Sequence, residues 1–419
     1  MRILVIGGGG REHAIIWKLN KDNPAHEIFC APGNGGIGRI ARNVPIDAAD
    51  TASLARFAEE NGVGFTVVGP EAALAAGIAD EFAARGLKIF GPAKAAARLE
   101  SSKDFAKRFM KKYGVPTADF ETFDRAEDGF SYIKGRKYPV VIKADGLAAG
   151  KGVVVCRNEE DASRTLADMM NSRKYGDSGA KVVIEEYMEG KEATYMVFSD
   201  GGTFLPMTGA HDYKRALDGD FGANTGGMGS VSPSARFTAE IERMCLERIV
   251  KPTFDGLRKE GLRYVGVLYF ELMLTAGGPK VIEYNCRFGD PETEVVLPRL
   301  KTDLFSIFSA CVDGKLGELS LEWTDEAAVC VMAASGGYPG EYRKGLEISG
   351  LEDDFGRDVH VFHAGTAEKG GRILTDGGRV LCVSALGADE RNARERAYDA
   401  VRKINFEGMF FRSDIGSPE

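Results

Sequence analysis

Apolar and polar positions in the first hundred residues follow two alternating periods. Short apolar runs at residues 2–6, 27–31, 65–68 and 88–90 are each stopped by glycine or proline, at Gly7, Pro32, Gly69 and Gly91. Between them, residues 12–20 and 51–61 carry apolar side chains at helical spacing. Strands alternating with helices predict a parallel, Rossmann-like sheet with right-handed crossovers, whose ligands sit beyond the carboxyl ends of its strands. Residues 93–113 predict one long helix leading away from this unit, ended by Gly114 and Pro116.

The pattern then becomes α+β. Strands are predicted at 140–144 and 152–156, separated by a glycine-rich turn at 145–150, with a helix at 161–170 and a strand at 181–186. Hairpins follow over 193–209, a polar glycine-rich loop over 211–230 and a long helix over 238–260. Residues 264–274 and 280–284 predict a hairpin across Ala276-Gly277-Gly278. From about residue 327 the expectation is short strands with frequent turns, at Gly336-Gly337, Gly370-Gly371 and Gly377-Gly378, and a last helix over 389–403. No internal repeat is visible.

Composition narrows the class. The chain has 419 residues, 44% apolar and 28% charged, which suits a globular protein of several domains. A net charge of −8 argues against nucleic acid or a membrane surface as partner, while leaving room for a local phosphate pocket. The seven cysteines are scattered and form no C-x-x-C pair, which points to free thiols in a reducing cytoplasm. The apolar start is too short for a signal peptide, and no run of about 18 apolar residues predicts a membrane span.

Four segments carry chemistry. Gly7-Gly8-Gly9-Gly10 leaves a strand and opens a helix, a context in which free N–H groups and the helix dipole hold a phosphate. A dinucleotide fits poorly, because the third glycine of G-x-G-x-x-G falls at Glu12 and the second strand ends without an acidic residue. The turn between Lys143 and Gly152 is not a P-loop: Gly146 and Gly150 are four apart, Gly152 stands where Ser or Thr is needed, and a strand follows. It predicts a flap over phosphates, with Lys143 directed at them from an apolar strand, since a buried ammonium needs an anion. Residues 182–188 form an apolar strand ending in Glu185 and Glu186, a strand end suited to an adenine edge, with Glu192 within reach of a ribose. Glu283 and Asn285 alternate along a strand and so share a face, where a carboxylate and an amide oxygen suit Mg²⁺ beside polyphosphate. Arg287 follows on that side, placed to neutralise a phosphoryl group in transit.

In this order, these features resemble the ATP-grasp superfamily. The segments GGGGREHA (7–14), APGNGG (31–36), VGPEAALAAGI (68–78), KADGLAAGKGV (143–153), HDYKRALDGD (211–220), NTGGMG (224–229) and VIEYNCRFGDPE (281–292) resemble its glycinamide ribonucleotide synthetase family over nearly the whole chain. GGYPGEY (336–342) and VFHAGT (361–366) extend the likeness to the C-terminal region. The resemblance implies an N-terminal phosphoribosyl-substrate domain at 1–100, an ATP-grasp domain at 101–326 with a mobile lid near 118–190, and a small mixed C-terminal domain at 327–419. It implies ligation of glycine to 5-phosphoribosylamine through glycyl phosphate, with ATP as co-substrate and Mg²⁺ or Mn²⁺ as cofactor. A transient contact with the enzyme that makes unstable phosphoribosylamine is left open.

By position, the resemblance implies that Lys103, Lys143 and Lys151 bind ATP phosphates and that Glu185, Glu186, Met188 and Glu192 hold the nucleoside. Glu283 and Asn285 ligate the metal, and Arg287, Lys143 and Asp212 act in catalysis. Gly8, Gly9, Gly10, Gly33 and Asn34 face the phosphoribosyl substrate. Asp212, Lys214 and Arg215 line the acceptor site with Gly226 and Gly227. Two departures stand out: Ala223 replaces the family's proline before NTGG, and Glu271 stands where the family has glycine. Other ATP-grasp enzymes place a metal carboxylate about there, so Glu271 is expected to be a third ligand, against the alternative of a surface carboxylate. Competing readings are an ATP-grasp carboxylase, which needs a bicarbonate site, and a nucleotide sensor, which would have lost Glu283, Asn285 and Arg287.

Overall fold

The computed structural model describes residues 1–148 and 151–418. Its N-terminal sheet has five parallel strands, in the order Arg42–Asn43, Glu27–Pro32, Arg2–Gly7, Phe65–Val68, Ile89–Phe90. Side chains of a strand alternate between faces, and the first strand divides accordingly. Leu4 and Ile6 enter one core, Ile3 and Val5 another.

Both cores continue into a four-stranded antiparallel sheet, ordered Phe204–Pro206, Lys191–Asp200, Val265–Thr275, Gly278–Asn285. Leu268, Phe270 and Leu272 join the first core, Val267 and Tyr269 the second. A second four-stranded antiparallel sheet, the lid, runs Phe120–Phe123, Val182–Glu186, Val140–Ala144, Val153–Cys156. It has a separate small core, in which Val140, Ile142, Val182 and Ile184 pack on Ile133, Leu166 and Met169. Thr117 pins the start of the lid to the central hairpin, its Oγ1 donating to Val281 O at 2.7 Å.

Three expectations change. Residues 93–113 form two helices, Lys94–Ser101 and Lys103–Tyr113, because Ser102 leaves helical geometry (φ −142°) and caps the second through Phe105 N. A side-chain cap competes locally with helix continuation, and hydrophobic periodicity does not register it. Residues 211–230 are not one loop. His211–Asp212 is an edge strand, and Gly229–Ser232 the strand beside it, of a five-stranded antiparallel sheet completed by Ala327–Ala334, Arg379–Gly387 and Val359–His363. Arg215–Leu217 and Phe221–Asn224 pair as a hairpin. The central strands of that sheet are also long: Ala327–Ala334 has 8 residues and Arg379–Gly387 has 9. Among the described residues no helix is long and apolar enough to cross a membrane, and the seven cysteines are buried free thiols.

Candidate active site

The lid and the central hairpin face each other across a cavity of about 350 Å³, lined among others by Lys103, Lys107, Lys143, Glu185, Glu283 and Asn285. A second cavity of about 740 Å³ shares Lys143, Glu185, Glu283, Asn285 and Arg287 with it. It continues past Glu186, Met188 and Glu192 to Asp212, Lys214 and Arg215.

Lys143 sits in the apolar lid strand as expected, and its anion is supplied by the protein. Its Nζ lies 3.1 Å from Glu185 Oε1, while the other oxygen of Glu185 is 3.0 Å from Lys107 Nζ. Burial pulls the Lys143 ammonium down, but Glu185 and Glu283 outweigh it and leave it raised. For Lys107 burial prevails over Glu185, bringing it down to about 8. The Glu185 side chain therefore faces the lysines. Glu186 is the last residue of its strand to pair, and its carboxylate meets Lys280 at 3.1 Å. Tyr187 and Met188 follow beyond that pairing. Lys151 is exposed and lines neither cavity. Ala149 and Gly150 of the same turn lie outside the described residues.

Glu283 and Asn285 both line the first cavity, as a shared strand face requires. Burial opposes the charge on Glu283, yet Lys103, Lys143, Lys214 and Arg287 hold its carboxyl below the ordinary range. Arg287 Nη2 donates to Asn285 Oδ1 at 2.9 Å and lies 3.1 Å from Glu100 Oε1, while Nε is 3.3 Å from Glu71 Oε2. Burial raises Glu71, but Arg287 and Arg11 overcome this and bring it down to about 2. Burial pushes Glu100 up to about 7 against the pull of Arg287.

Glu271 is buried, not a surface group, and stands directly opposite Glu283 in the hairpin register. Its carboxylate is ion-paired with Lys214, which is also 3.3 Å from Glu192. Burial pushes Glu271 up to about 7, with Lys214 opposing and Glu283 adding to the shift. Among the described residues no three His, Cys, Asp or Glu side chains form a metal-binding group. Glu271 thus already has a cation from the protein.

The N-terminal glycine turn is packed tightly. A Cβ on Gly8 would lie 2.4 Å from Gly33 O, and Gly9 N donates to Glu12 Oε2 at 2.6 Å. Asn34 spends its amide on structure: Nδ2 donates to Gly8 O (2.9 Å) and His363 O (2.7 Å), and Oδ1 accepts from Gly36 N and Ile37 N. Gly8, Gly9, Gly10, Gly33 and Asn34 line neither cavity, whereas Arg11 lines the first. Gly226 lines both. Gly227 has φ +112°, and a Cβ there would meet Asp212 Oδ1 at 2.5 Å, so only glycine lets this loop lie against Asp212. Arg215 Nη1 donates to Gly222 O at 2.9 Å. Burial pushes Asp212 well above the carboxylate range, with Glu292 adding to the shift.

Sequence reasoning missed Lys107, Glu71, Glu100 and Arg379. Lys107 had a signal, since it follows Lys103 by one helical turn and shares its face. Arg379 had none. It comes from the C-terminal sheet to meet Asp290 Oδ1 at 2.6 Å, and its Nη1 donates to the carbonyl of Gly226.

Two antiparallel sheets closing on a lysine-lined cavity, with a carboxylate–amide pair on its floor, are the ATP-grasp arrangement, and the chain is an ATP-dependent ligase of that class. Family models for phosphoribosylglycinamide synthetase match residues 1–100 (N domain), 101–293 (ATP-grasp domain) and 328–418 (C domain). A phosphoribosylamine–glycine ligase from Caldanaerobacter subterraneus is 51% identical over 417 residues, covering 100% of both chains. The crystal structure of a phosphoribosylamine–glycine ligase from Thermotoga maritima superposes with a TM-score of 0.85 at 36% identity, covering 99% of this chain and 100% of that one. A biotin carboxylase from Campylobacter jejuni, at 15% identity, 98% and 92% coverage and a TM-score of 0.75, shares the fold. The chain belongs to the phosphoribosylglycinamide synthetase family.

Proposed function

We propose that this site joins glycine to 5-phosphoribosylamine, converting ATP to ADP and phosphate and giving glycinamide ribonucleotide for purine biosynthesis. The observation that carries this reading is the convergence of Lys103, Lys143, Arg287, Glu283 and Asn285 on one cavity that opens toward Asp212 and Lys214, in a chain of this family.

A carboxylate is a poor acyl donor. An oxygen of glycine attacks the γ-phosphorus, the bond to the leaving ADP oxygen breaks, and glycyl phosphate forms. The amine of phosphoribosylamine then attacks the acyl carbon, the bond to the phosphate oxygen breaks, and the nitrogen loses a proton. Lys103 and Lys143 offset the charge of the phosphates, and Arg287 stabilises the phosphoryl group as it moves. The backbone at Tyr187 and Met188 meets the adenine, and Glu192 meets the ribose. Lys151 joins the phosphates when the lid closes, keeping water from the acyl phosphate. Asp212, Lys214 and Arg215 face the acceptor, with its phosphoribosyl end toward Arg11 and the glycine turn.

The residues present fit Mg²⁺ or Mn²⁺. Glu283 is held ionised by its cationic neighbours, and Asn285 Oδ1 accepts one hydrogen bond, leaving a lone pair. Hard oxygen ligands beside phosphate are what such an ion takes, and it supplies further neutralisation of phosphate charge. The test is phosphate release from ATP. It is expected only with glycine and phosphoribosylamine together, and to vanish in Glu283→Gln. Release sustained by bicarbonate in place of glycine would point to a carboxylase and overturn the reading.

A further inference from the structure

Arg287 does not hold its position alone. Glu100, near the end of the helix Lys94–Ser101, is 8% exposed, and its two oxygens have separate tasks. Oε1 lies 3.1 Å from Arg287 Nη2, and Oε2 accepts from Cys286 N at 2.6 Å. Cys286 is the residue between Asn285 and Arg287, so one carboxylate fixes both the chain as it leaves the strand and the guanidinium just beyond. The Cys286 thiol rests on Ala96 O and Ala97 O of the same helix, each at 3.9 Å. The helix is thus a template for this bend.

Glu71 also meets Arg287, but differently. Its side chain is 32% exposed against 7% for Glu100, and its 3.3 Å contact is to Nε, so it does not tie the guanidinium to the chain at Cys286 as Glu100 does. Glu100 also stands three residues before Lys103, which lines the same cavity. The joint between them is held from the lid side, where Asp145 Oδ1 accepts from Asp104 N at 2.7 Å and from Ser102 Oγ at 3.1 Å.

We propose that Glu100 is the positioning residue of Arg287, setting the guanidinium at the transferring phosphoryl group relative to Lys103 and Asn285. It touches no substrate. A buried charge-assisted pair of this kind fixes geometry as well as energy, and a small displacement of a group that acts in the transition state costs rate before it costs binding. The inference rests on the role given to Arg287 above.

The test is steady-state kinetics of the full chain. Glu100→Gln keeps an oxygen for Cys286 N and removes the charge. Its kcat is expected to fall about 30-fold, with KM for ATP and for glycine within about twofold and an unchanged Tm. Glu71→Gln is expected to lose less than about fivefold. In an Arg287→Lys background, Glu100→Gln is expected to cost little more, because the two act as a unit. A Glu100→Gln enzyme with unaltered kcat, or losses that multiply with those of Arg287→Lys, would overturn the proposal. If Glu100→Gln does not fold, Glu100→Asp carries the same test, with the same fall in kcat at constant KM expected and unaltered kcat again overturning it. Arg287→Lys alone separates the two readings. If it leaves kcat unchanged, the role of Arg287 fails. If it lowers kcat while Glu100→Gln does not, only the role of Glu100 fails.

Discussion

The hairpin that carries Glu283 and the lid sheet that carries Lys143 face one cavity but are embedded differently. The hairpin contributes Phe270, Leu272, Val281 and Tyr284 to a core shared with the N-terminal sheet, and Val267 and Tyr269 to a second core that reaches the C-terminal sheet. Its polar residues are held from outside as well: Arg287 by Glu71 and Glu100, Glu271 by Lys214. The lid has its own small core, separate from the two that hold the hairpin, and meets the body through polar contacts. These include Thr117 on Val281, Asp145 on the start of the helix Lys103–Tyr113, and Glu185 on Lys107. Groups that must hold position to within tenths of an ångström belong on the first wall. The mechanism proposed above asks groups of the second wall to admit nucleotide and then close.

Substitutions can break this contrast. Glu283→Gln on the rigid wall is expected to lower kcat by about 10³-fold with the fold intact, because the charge is lost where phosphate charge is met. Phosphate release together with a thermal melt checks it, and a loss confined to KM would contradict the division of labour. Lys143→Met on the lid is expected to lower kcat/KM for ATP about 10²-fold and to raise KM, since it removes a phosphate partner and leaves Glu185 with Lys107 alone. Nucleotide binding by calorimetry reads this directly, and unchanged affinity would move Lys143 to the other class.

Asp145→Ala loosens the lid without touching a lysine. About a tenfold rise in KM for ATP, with kcat within about twofold, is the expected signature of losing the partly buried hydrogen bonds that Asp145 accepts from Asp104 N and Ser102 Oγ. If kcat falls instead, the lid is doing more than capture. The smallest effect is expected for Glu271→Gly, a shift of about fivefold in the magnesium concentration giving half-maximal rate. Unchanged magnesium dependence would remove Glu271 from the metal site and leave it as the partner of Lys214.

Much of this was legible because period and chemistry agree. The first strand Arg2–Gly7, the flanking strands of the lid turn and the Glu283–Asn285 pair are all local signals, readable from alternation and a few turn residues. What could not be read is what distant segments do to one another. Nothing near residue 379 announces an arginine that meets Asp290, and nothing near Asn34 says that its amide binds the chain at His363. Glu185 shows a third kind of limit. Its place at the end of an apolar strand was plain, but its direction depended on Lys107 and Lys143, one contributed by a body helix and the other by a neighbouring strand. The break at Ser102 was visible as a residue type, yet only its bond to Phe105 N makes it a boundary.

The C-terminal sheet has a consequence for how the molecule comes into being. Gly229–Ser232, beside the loop of Gly226 and Gly227, pairs on one side with Ala327–Ala334, and the loop is held by Tyr338 and Arg379. A ribosome that has just finished the hairpin at residues 265–285 has therefore made Glu283 and Asn285, while the loop of Gly226 and Gly227 still lacks the strands it rests on. Arg379–Gly387 is the last strand of that sheet in chain order. Domains that follow in order along a chain can fold as units during synthesis, whereas this loop waits for strands of a later domain.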